Sequence, residues 1–130
     1  MTVFYLHAVG LDGMLWRDVA RAGARTPDLP GHGRAPASAG VVTMAALVEH
    51  VAELIDESGG GPADLIGISL GSMVSQQVAV HRPDLVRSLV LACGGMRTDP
   101  TVSRQRAADT RSVGMSGTLD VTLRRWFTEA

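Results

Sequence analysis

Short apolar segments alternate with helical ones along the first 93 residues of the sequence. Residues 2–7, 63–68 and 86–92 are rich in β-branched and aliphatic side chains, and each is short enough to be a buried strand. Residues 24–29 form a weaker fourth candidate, which Pro27 restricts to a sheet edge or a strand end. Strands that alternate with helices are typical of a parallel sheet with helices on both faces, so we expect an α/β fold.

Three helices are expected between these strands. A short helix over residues 14–22 ends at Gly23. A longer amphipathic helix begins after Thr43, its expected N-cap, and stops at Ser58. The third helix covers residues 70–82 and ends where a proline follows.

The composition changes after the Gly-Gly pair at residues 94–95. Residues 97–118 are polar, rich in Ser, Thr and Arg, and only weakly periodic. A last helix is expected from Leu119 to Glu129, because apolar side chains recur there on one face. We therefore expect residues 1–95 to contain the sheet and residues 96–130 to form an appendage that adds no strand.

The composition excludes several classes of protein. All 12 basic residues are arginine, which excludes Schiff-base chemistry on lysine and a lysine-dependent phosphate loop. The net charge of −1 and the scattered arginines disfavour nucleic-acid and membrane partners. A single cysteine, Cys93, excludes a disulfide framework within the chain, and at the end of an apolar strand we expect it to be a small core residue.

The expected location is the cytoplasm of a bacterium. No apolar segment approaches the roughly 20 residues of a membrane span, and no basic segment typical of a signal peptide opens the sequence. Lysine and asparagine, which share A-rich codons, are both absent, and this indicates a G+C-rich genome.

Residues Gly67-Ile68-Ser69-Leu70-Gly71 fit the pattern G-x-S-x-G, in which a serine stands at a sharp turn between a strand and a helix. The two glycines let neighbouring backbone pass close to the turn, and the amide after the serine faces a developing oxyanion. The pattern alone arises by chance about once in ten such chains, and a helix N-cap after a glycine bend is the alternative. The strand expected before Ser69 and the helix expected after it favour a nucleophile.

Four ordered motifs in residues 3–93 resemble the α/β-hydrolase superfamily, in the N-terminal half of its fold. They are Leu6-His7-Ala8-Val9-Gly10, Asp28-Leu29-Pro30-Gly31-His32-Gly33-Arg34, the G-x-S-x-G segment, and the segment from Arg82 to Leu91. The tail is similar to the start of the helical cap in 3-oxoadipate enol-lactone hydrolases, which open a small lactone ring; the similar segments are residues 104–108, 113–115 and 125–128.

The resemblance implies roles for four residues and a reaction class. Ser69 corresponds to the nucleophile, the backbone amides of Leu70 and Val9 to the oxyanion hole, and Trp126 to the cap over the substrate. The implied substrate is a small carboxylic ester or lactone, with no cofactor, and no His, Cys and carboxylate cluster has the spacing of metal ligands. Ala8 departs from the glycine that is common at this place, and its methyl group is expected to crowd the turn that aims the Val9 amide.

The sequence lacks an obvious base for the serine. In this superfamily an acid and then a histidine follow the nucleophile, but no histidine lies beyond His81, which is expected at a helix end. His7, His32 and His50 precede Ser69 and are expected to be structural. The acids after the motif are Asp84, expected in a turn, Asp99, a conceivable triad acid, and Asp109, Asp120 and Glu129.

Two hypotheses of function therefore stay open. In the first, the chain is the nucleophile-bearing part of a serine hydrolase, and a second chain or a C-terminal segment outside this sequence supplies the histidine and the acid. In the second, the chain is a non-catalytic, truncated relative that serves as a binding or subunit module. The G-x-S-x-G motif favours the first hypothesis, and the lack of a late histidine favours the second.

Overall fold

The computed structural model describes residues 1–37, 40–59, 61–95 and 99–127. Its sheet has three parallel strands in this order: β1 (Val3–Leu6), β2 (Ala63–Ile68) and β3 (Val86–Ala92). Leu6 lies opposite Gly67, and Ile68 lies opposite Ala92. The three strands therefore end side by side, so the segments that leave them meet at one edge of the sheet. The predicted α/β fold class is confirmed.

Two helices pack with the sheet around one core. They are α1 (Met44–Glu57) and α2 (Leu70–His81). The Thr43 hydroxyl accepts a hydrogen bond from the Ala46 amide at 3.2 Å, which confirms the predicted N-cap of α1. Ile55 and Leu65 are among the fully buried core side chains, and burial of one such side chain stabilises the fold by about 1.5–3 kcal/mol.

The expected strand at residues 24–29 is reduced to one bridging residue. Arg25 pairs with Phe4 of β1, and its carbonyl accepts a hydrogen bond from the Tyr5 amide at 2.9 Å. The pairing goes no further because Pro27 has no amide hydrogen to donate.

The expected helix at residues 14–22 is a single 3-10 turn, Gly13–Trp16. Met14 and Val19, two apolar residues of the expected helix, have exposed side chains. Only the Trp16 ring packs inward, with its centroid 5.1 Å from that of Tyr5. No side chain in residues 14–22 is fully buried, so a longer helix there would gain too little from packing.

Strand β3 lies at the edge of the sheet and pairs only with β2 within the described residues. Val90 and Leu91 of this strand are 54% and 42% exposed. Cys93, which follows the strand, is also exposed, and its φ is 51°. The prediction that Cys93 is a core residue is therefore wrong, because an edge strand leaves its last residues uncovered.

The chain divides into two compact units, Met1–Met96 and Arg97–Ala130. The second contains α3 (Pro100–Gly117), which is interrupted at Gly114 with φ of 71°, and α4 (Leu119–Trp126). Helix α3 was not predicted, since none of its described side chains is buried and no apolar stripe marks it. Helix α4 begins at the predicted residue and ends earlier than predicted, and residues 128–130 lie outside the described residues. No helix described here is long and apolar enough to cross a membrane.

Candidate active site

Ser69 connects β2 to α2 in a backbone conformation that few residues other than glycine adopt. Its φ is 52° and its ψ is −112°. The Ser69 amide donates to the Ala92 carbonyl of β3 at 2.9 Å, and the Ser69 carbonyl accepts from the Met73 amide of α2 at 3.1 Å. The serine is thus held on both sides at the carboxyl edge of the sheet. A strained backbone kept by its surroundings is common at functional sites.

The two glycines of the motif are required by close backbone contacts. A Cβ on Gly67 would overlap the backbone of Gly71 and Ser72. A Cβ on Gly71 would overlap the carbonyl group of Leu6 in β1. These contacts draw the start of α2 against both β1 and β2, and they explain the spacing of the motif in physical terms.

The amides of Val9 and Leu70 lie on segments that meet at the same edge. The Gly71 amide donates to the His7 carbonyl at 3.0 Å, which ties the end of β1 to the first turn of α2. Within the described residues, neither the Val9 nor the Leu70 amide donates to a protein acceptor. Backbone amides without a protein acceptor are able to donate to an oxyanion.

Ala8 fits the turn without strain. Its side chain is buried, and the only described non-glycine residues with positive φ are Ser69 and Cys93. The Ala8 carbonyl accepts from the Leu11 amide at 3.2 Å and closes the turn. Ala8 therefore has an ordinary backbone conformation in this turn, and the effect of its methyl group on the direction of the Val9 amide stays a prediction.

The His7 ring is fully buried behind this turn, and both of its nitrogens bond to backbone. Nδ1 lies 2.8 Å from the Ala8 carbonyl oxygen, and Nε2 accepts from the Leu29 amide at 2.9 Å. Burial lowers the pKa of His7 from its usual value of 6.5, and the nearby His32 ring lowers it further. The hydrogen bond to Ala8 and the carboxylates of Asp28 and Asp12 act in the opposite direction.

The loop from Asp28 to Arg34 is organised by the Asp28 carboxylate. It accepts hydrogen bonds from the amides of Arg34 and Gly13, both at 2.8 Å. These two bonds hold the pKa of Asp28 below its usual range, so that the group stays ionised. Sequence reasoning noted this loop only as part of a family motif. Two residues in the sequence indicate how this loop is organised. They are the acid at its start, Asp28, and Gly33, where a Cβ would overlap the Asp28 carboxylate.

In the described part of the chain, no histidine forms a hydrogen bond with the Ser69 side chain. The ring nitrogens of His7 are both engaged with backbone, and Nδ1 of His32 lies 3.2 Å from the Pro30 carbonyl oxygen. His50 lies on α1, and His81 ends the helix that Ser69 begins, about 18 Å along its axis. The structural role expected for the four histidines stays a prediction, which the backbone bonds of His7 and His32 support.

The comparison with known proteins gives the family. A family described as the alpha/beta hydrolase fold matches residues 2–125. The chain belongs to the alpha/beta hydrolase family. Lipase LipV of Mycobacterium tuberculosis is 39% identical over 93 residues, which cover 68% of this chain and 35% of the lipase. An (E)-2-((N-methylformamido)methylene)succinate hydrolase of Acinetobacter baylyi is 29% identical over 129 residues, 94% of this chain and 49% of that relative.

A solved structure gives the same result for the fold of this chain. The enol-lactonase from Burkholderia xenovorans superposes with a TM-score of 0.90 at 27% identity. The superposition covers 98% of this chain and 51% of the enol-lactonase. The chain thus spans about half the length of the enol-lactonase and of the Acinetobacter relative, and several of its relatives are named as lipases, esterases or hydrolases.

Two of the candidate acids have local partners. Asp99 precedes α3 as its N-cap, and its carboxylate accepts from the Thr101 amide at 2.8 Å. Asp84 pairs with the guanidinium of Arg82 at 2.9 Å, in the connection where a turn was predicted. Trp126 lies on α4 in the second unit and is 46% exposed.

Proposed function

We propose that this chain is the nucleophile-bearing part of a serine hydrolase that cleaves a carboxylic ester or a lactone. The observation that carries the proposal is the backbone of Ser69, kept in a strained conformation between two glycines that cannot be replaced without overlap. A purely structural N-cap needs no such strain, because an N-cap residue ordinarily has an extended backbone. Here the Ser69 side chain makes no capping hydrogen bond to α2.

The proposed reaction proceeds through an acyl-enzyme. The Ser69 oxygen attacks the carbonyl carbon, and the amides of Leu70 and Val9 stabilise the negative charge that develops on the carbonyl oxygen. The alcohol leaves with the proton that came from serine, and water then hydrolyses the acyl-enzyme. A histidine supplied from outside the 130 residues takes and returns the proton in both steps, and an acid from the same source orients that histidine and stabilises its charged form.

Residues 96–130 are proposed to be the beginning of a helical cap, with Trp126 in the substrate pocket. The amphipathic order of α4 and the similarity of the whole chain to an enol-lactonase support this assignment. The substrate class proposed is a small ester or an enol-lactone-like ring. The proposed location is the bacterial cytoplasm, which the arginine-only basic composition and the bacterial relatives support.

The alternative is a non-catalytic binding or subunit module. It is favoured by one observation, that no histidine within the described residues bonds to the Ser69 side chain. Labelling of the native material with a fluorophosphonate, which reacts with activated serines, separates the two functions.

The protein is purified from its source with whatever polypeptide accompanies it, and its intact mass and labelled peptide are determined. We expect stoichiometric labelling of wild-type protein at Ser69, loss of labelling in Ser69→Ala, and normal labelling in Ser103→Ala, a control on the exposed surface of α3. A lone 13.7 kDa species that never labels would instead support the binding module.

A further inference from the structure

The peptide group between Ala8 and Val9 contains both the carbonyl that faces His7 and the amide assigned to the oxyanion hole. Nδ1 of the His7 ring lies 2.8 Å from the Ala8 oxygen. A peptide group is planar and trans, so its carbonyl and its amide hydrogen point in opposite directions. Whatever fixes the direction of the Ala8 carbonyl therefore fixes the direction of the Val9 amide as well.

The hydrogen bonds of the ring determine its tautomer. The Leu29 amide can only donate, so Nε2 of His7 must carry a lone pair. In the neutral ring the hydrogen then resides on Nδ1 and is donated to the Ala8 oxygen. Because the ring is fully buried, it has no water to exchange these partners with.

We propose that His7 is a positioning residue of the oxyanion hole, which holds the Ala8–Val9 peptide with the Val9 amide directed away from the ring. A donor on the carbonyl also polarises the peptide and makes its amide a stronger donor. The inference rests on the proposed function only in assigning the Val9 amide to the oxyanion.

The loop from Asp28 to Arg34 supports this arrangement from behind. It supplies the Leu29 amide to Nε2, and the Asp28 carboxylate fixes the loop to the Gly13 amide on the other side. The titratable groups that face the ring are His32, Asp28 and Asp12, with the His32 centroid 5.0 Å away. Protonation of Nε2 would place its N–H against the Leu29 N–H, so the ring keeps both of its backbone hydrogen bonds only while it is neutral.

The first test needs no activity. In the 130-residue chain labelled with ¹⁵N, long-range spectra of the histidine ring nitrogens report the tautomer of His7. We expect the Nδ1–H form at neutral pH, and we expect the Val9 amide resonance to shift with the same midpoint as the ring when the sample is acidified. The Nε2–H form, or a Val9 amide that ignores the protonation of His7, would overturn the inference.

The second test compares two substitutions that each keep one of the ring's hydrogen bonds. In His7→Asn, the side-chain amide nitrogen reaches the position of Nδ1 and still donates to the Ala8 carbonyl oxygen. In His7→Gln, the side-chain amide reaches the position of Nε2, and its oxygen retains only the hydrogen bond from the Leu29 amide. In the complete native hydrolase we expect the maximal rate of Ser69 phosphonylation to fall by about 100-fold in His7→Gln and much less in His7→Asn, with similar apparent affinities for the probe.

The outcomes separate the inference from the function it rests on. If wild-type protein does not label at Ser69, the proposed function fails, and the tautomer measurement still decides the role of His7. If wild-type labels and the two variants label equally slowly, His7 is only structural. His81→Gln, on the exposed end of α2, serves as the control and is expected to label like wild type. If neither His7 variant folds, the ring spectrum of the wild-type chain gives the answer.

Discussion

The α-carbon of Gly71 lies against the carbonyl group of Leu6, so that any side chain at residue 71 would overlap β1. This contact holds the first turn of α2 against the end of the neighbouring strand, where the Gly71 amide also donates to His7. The close approach fixes the distance between the segment that carries Val9 and the segment that carries Ser69.

We expect Gly71→Ala to lower the free energy of unfolding by about 1–3 kcal/mol, since the added methyl group must displace backbone. Urea denaturation of the purified chain measures the change. The control is Gly40→Ala, because a Cβ at Gly40 meets no atom within 4 Å. Equal effects of the two substitutions would contradict the contact as the cause.

A second prediction concerns the strain at Ser69. Both Ser69→Ala and Ser69→Gly remove the hydroxyl, but only glycine adopts φ of 52° at no cost. We therefore expect the glycine variant to be about 1 kcal/mol more stable than the alanine variant. Denaturation midpoints of the two variants provide the comparison, and an alanine variant of equal or greater stability would show that the backbone is unstrained.

A third prediction concerns acid stability. The Asp64 carboxylate of β2 accepts hydrogen bonds from the guanidinium of Arg87 and from the hydroxyl of Ser88, both in β3. These bonds lower the pKa of Asp64 from 3.8 to about 2, with the Arg87 bond as the main cause. The stabilisation is present above pH 3.8 and is lost as the pH falls toward 2, because the unfolded state takes up its proton first.

Asp64→Asn should therefore lower stability at neutral pH and flatten the acid limb of the stability curve between these two values. Glu53→Gln, on the exposed face of α1, is expected to leave that limb unchanged. The measurement is the denaturation midpoint at a series of acidic pH values. If Asp64→Asn still loses stability at acidic pH as steeply as wild type, another carboxylate causes that loss.

The fourth prediction separates a cap from a catalytic acid. Asp99→Ala should destabilise α3 by about 1 kcal/mol through loss of the bond to the Thr101 amide, whereas Asp99→Ser retains a capping oxygen. Amide hydrogen exchange in the first turn of α3 reports the difference. We expect both variants to label at Ser69 like wild type in the native hydrolase. A large loss of labelling in both would give Asp99 a catalytic role.

Much of the sheet could be predicted from sequence because its signals are local. Strands β2 and β3 are short segments of mostly apolar residues, and Pro83 marks the end of α2, so their positions agree with expectation. The G-x-S-x-G motif around Ser69 consists of five adjacent residues, so its spacing can be recognised in the sequence alone. By contrast, none of the described side chains of α3 is buried, and only the adjacent Asp99 and Pro100 indicate where this helix begins.

The support of the turn at Ala8 could not be predicted in this way. It depends on a hydrogen bond between His7 and Leu29, which are 22 residues apart, and on two backbone amides that meet one carboxylate. No local pattern specifies such pairings, because they arise only when β1 and the loop from Asp28 are folded against each other. The exposure of Cys93 could not be predicted for a similar reason, because the sequence of β3 does not indicate that this strand lies at the edge of the sheet.

The left-handed backbone at Ser69 also has an evolutionary consequence. Every folded copy of the protein carries that conformational cost, and a mutation to glycine would remove it at once. A lineage that had abandoned the hydroxyl would gain stability from the replacement and lose nothing. The residue found at position 69 in descendants of this chain therefore records whether selection still uses its oxygen.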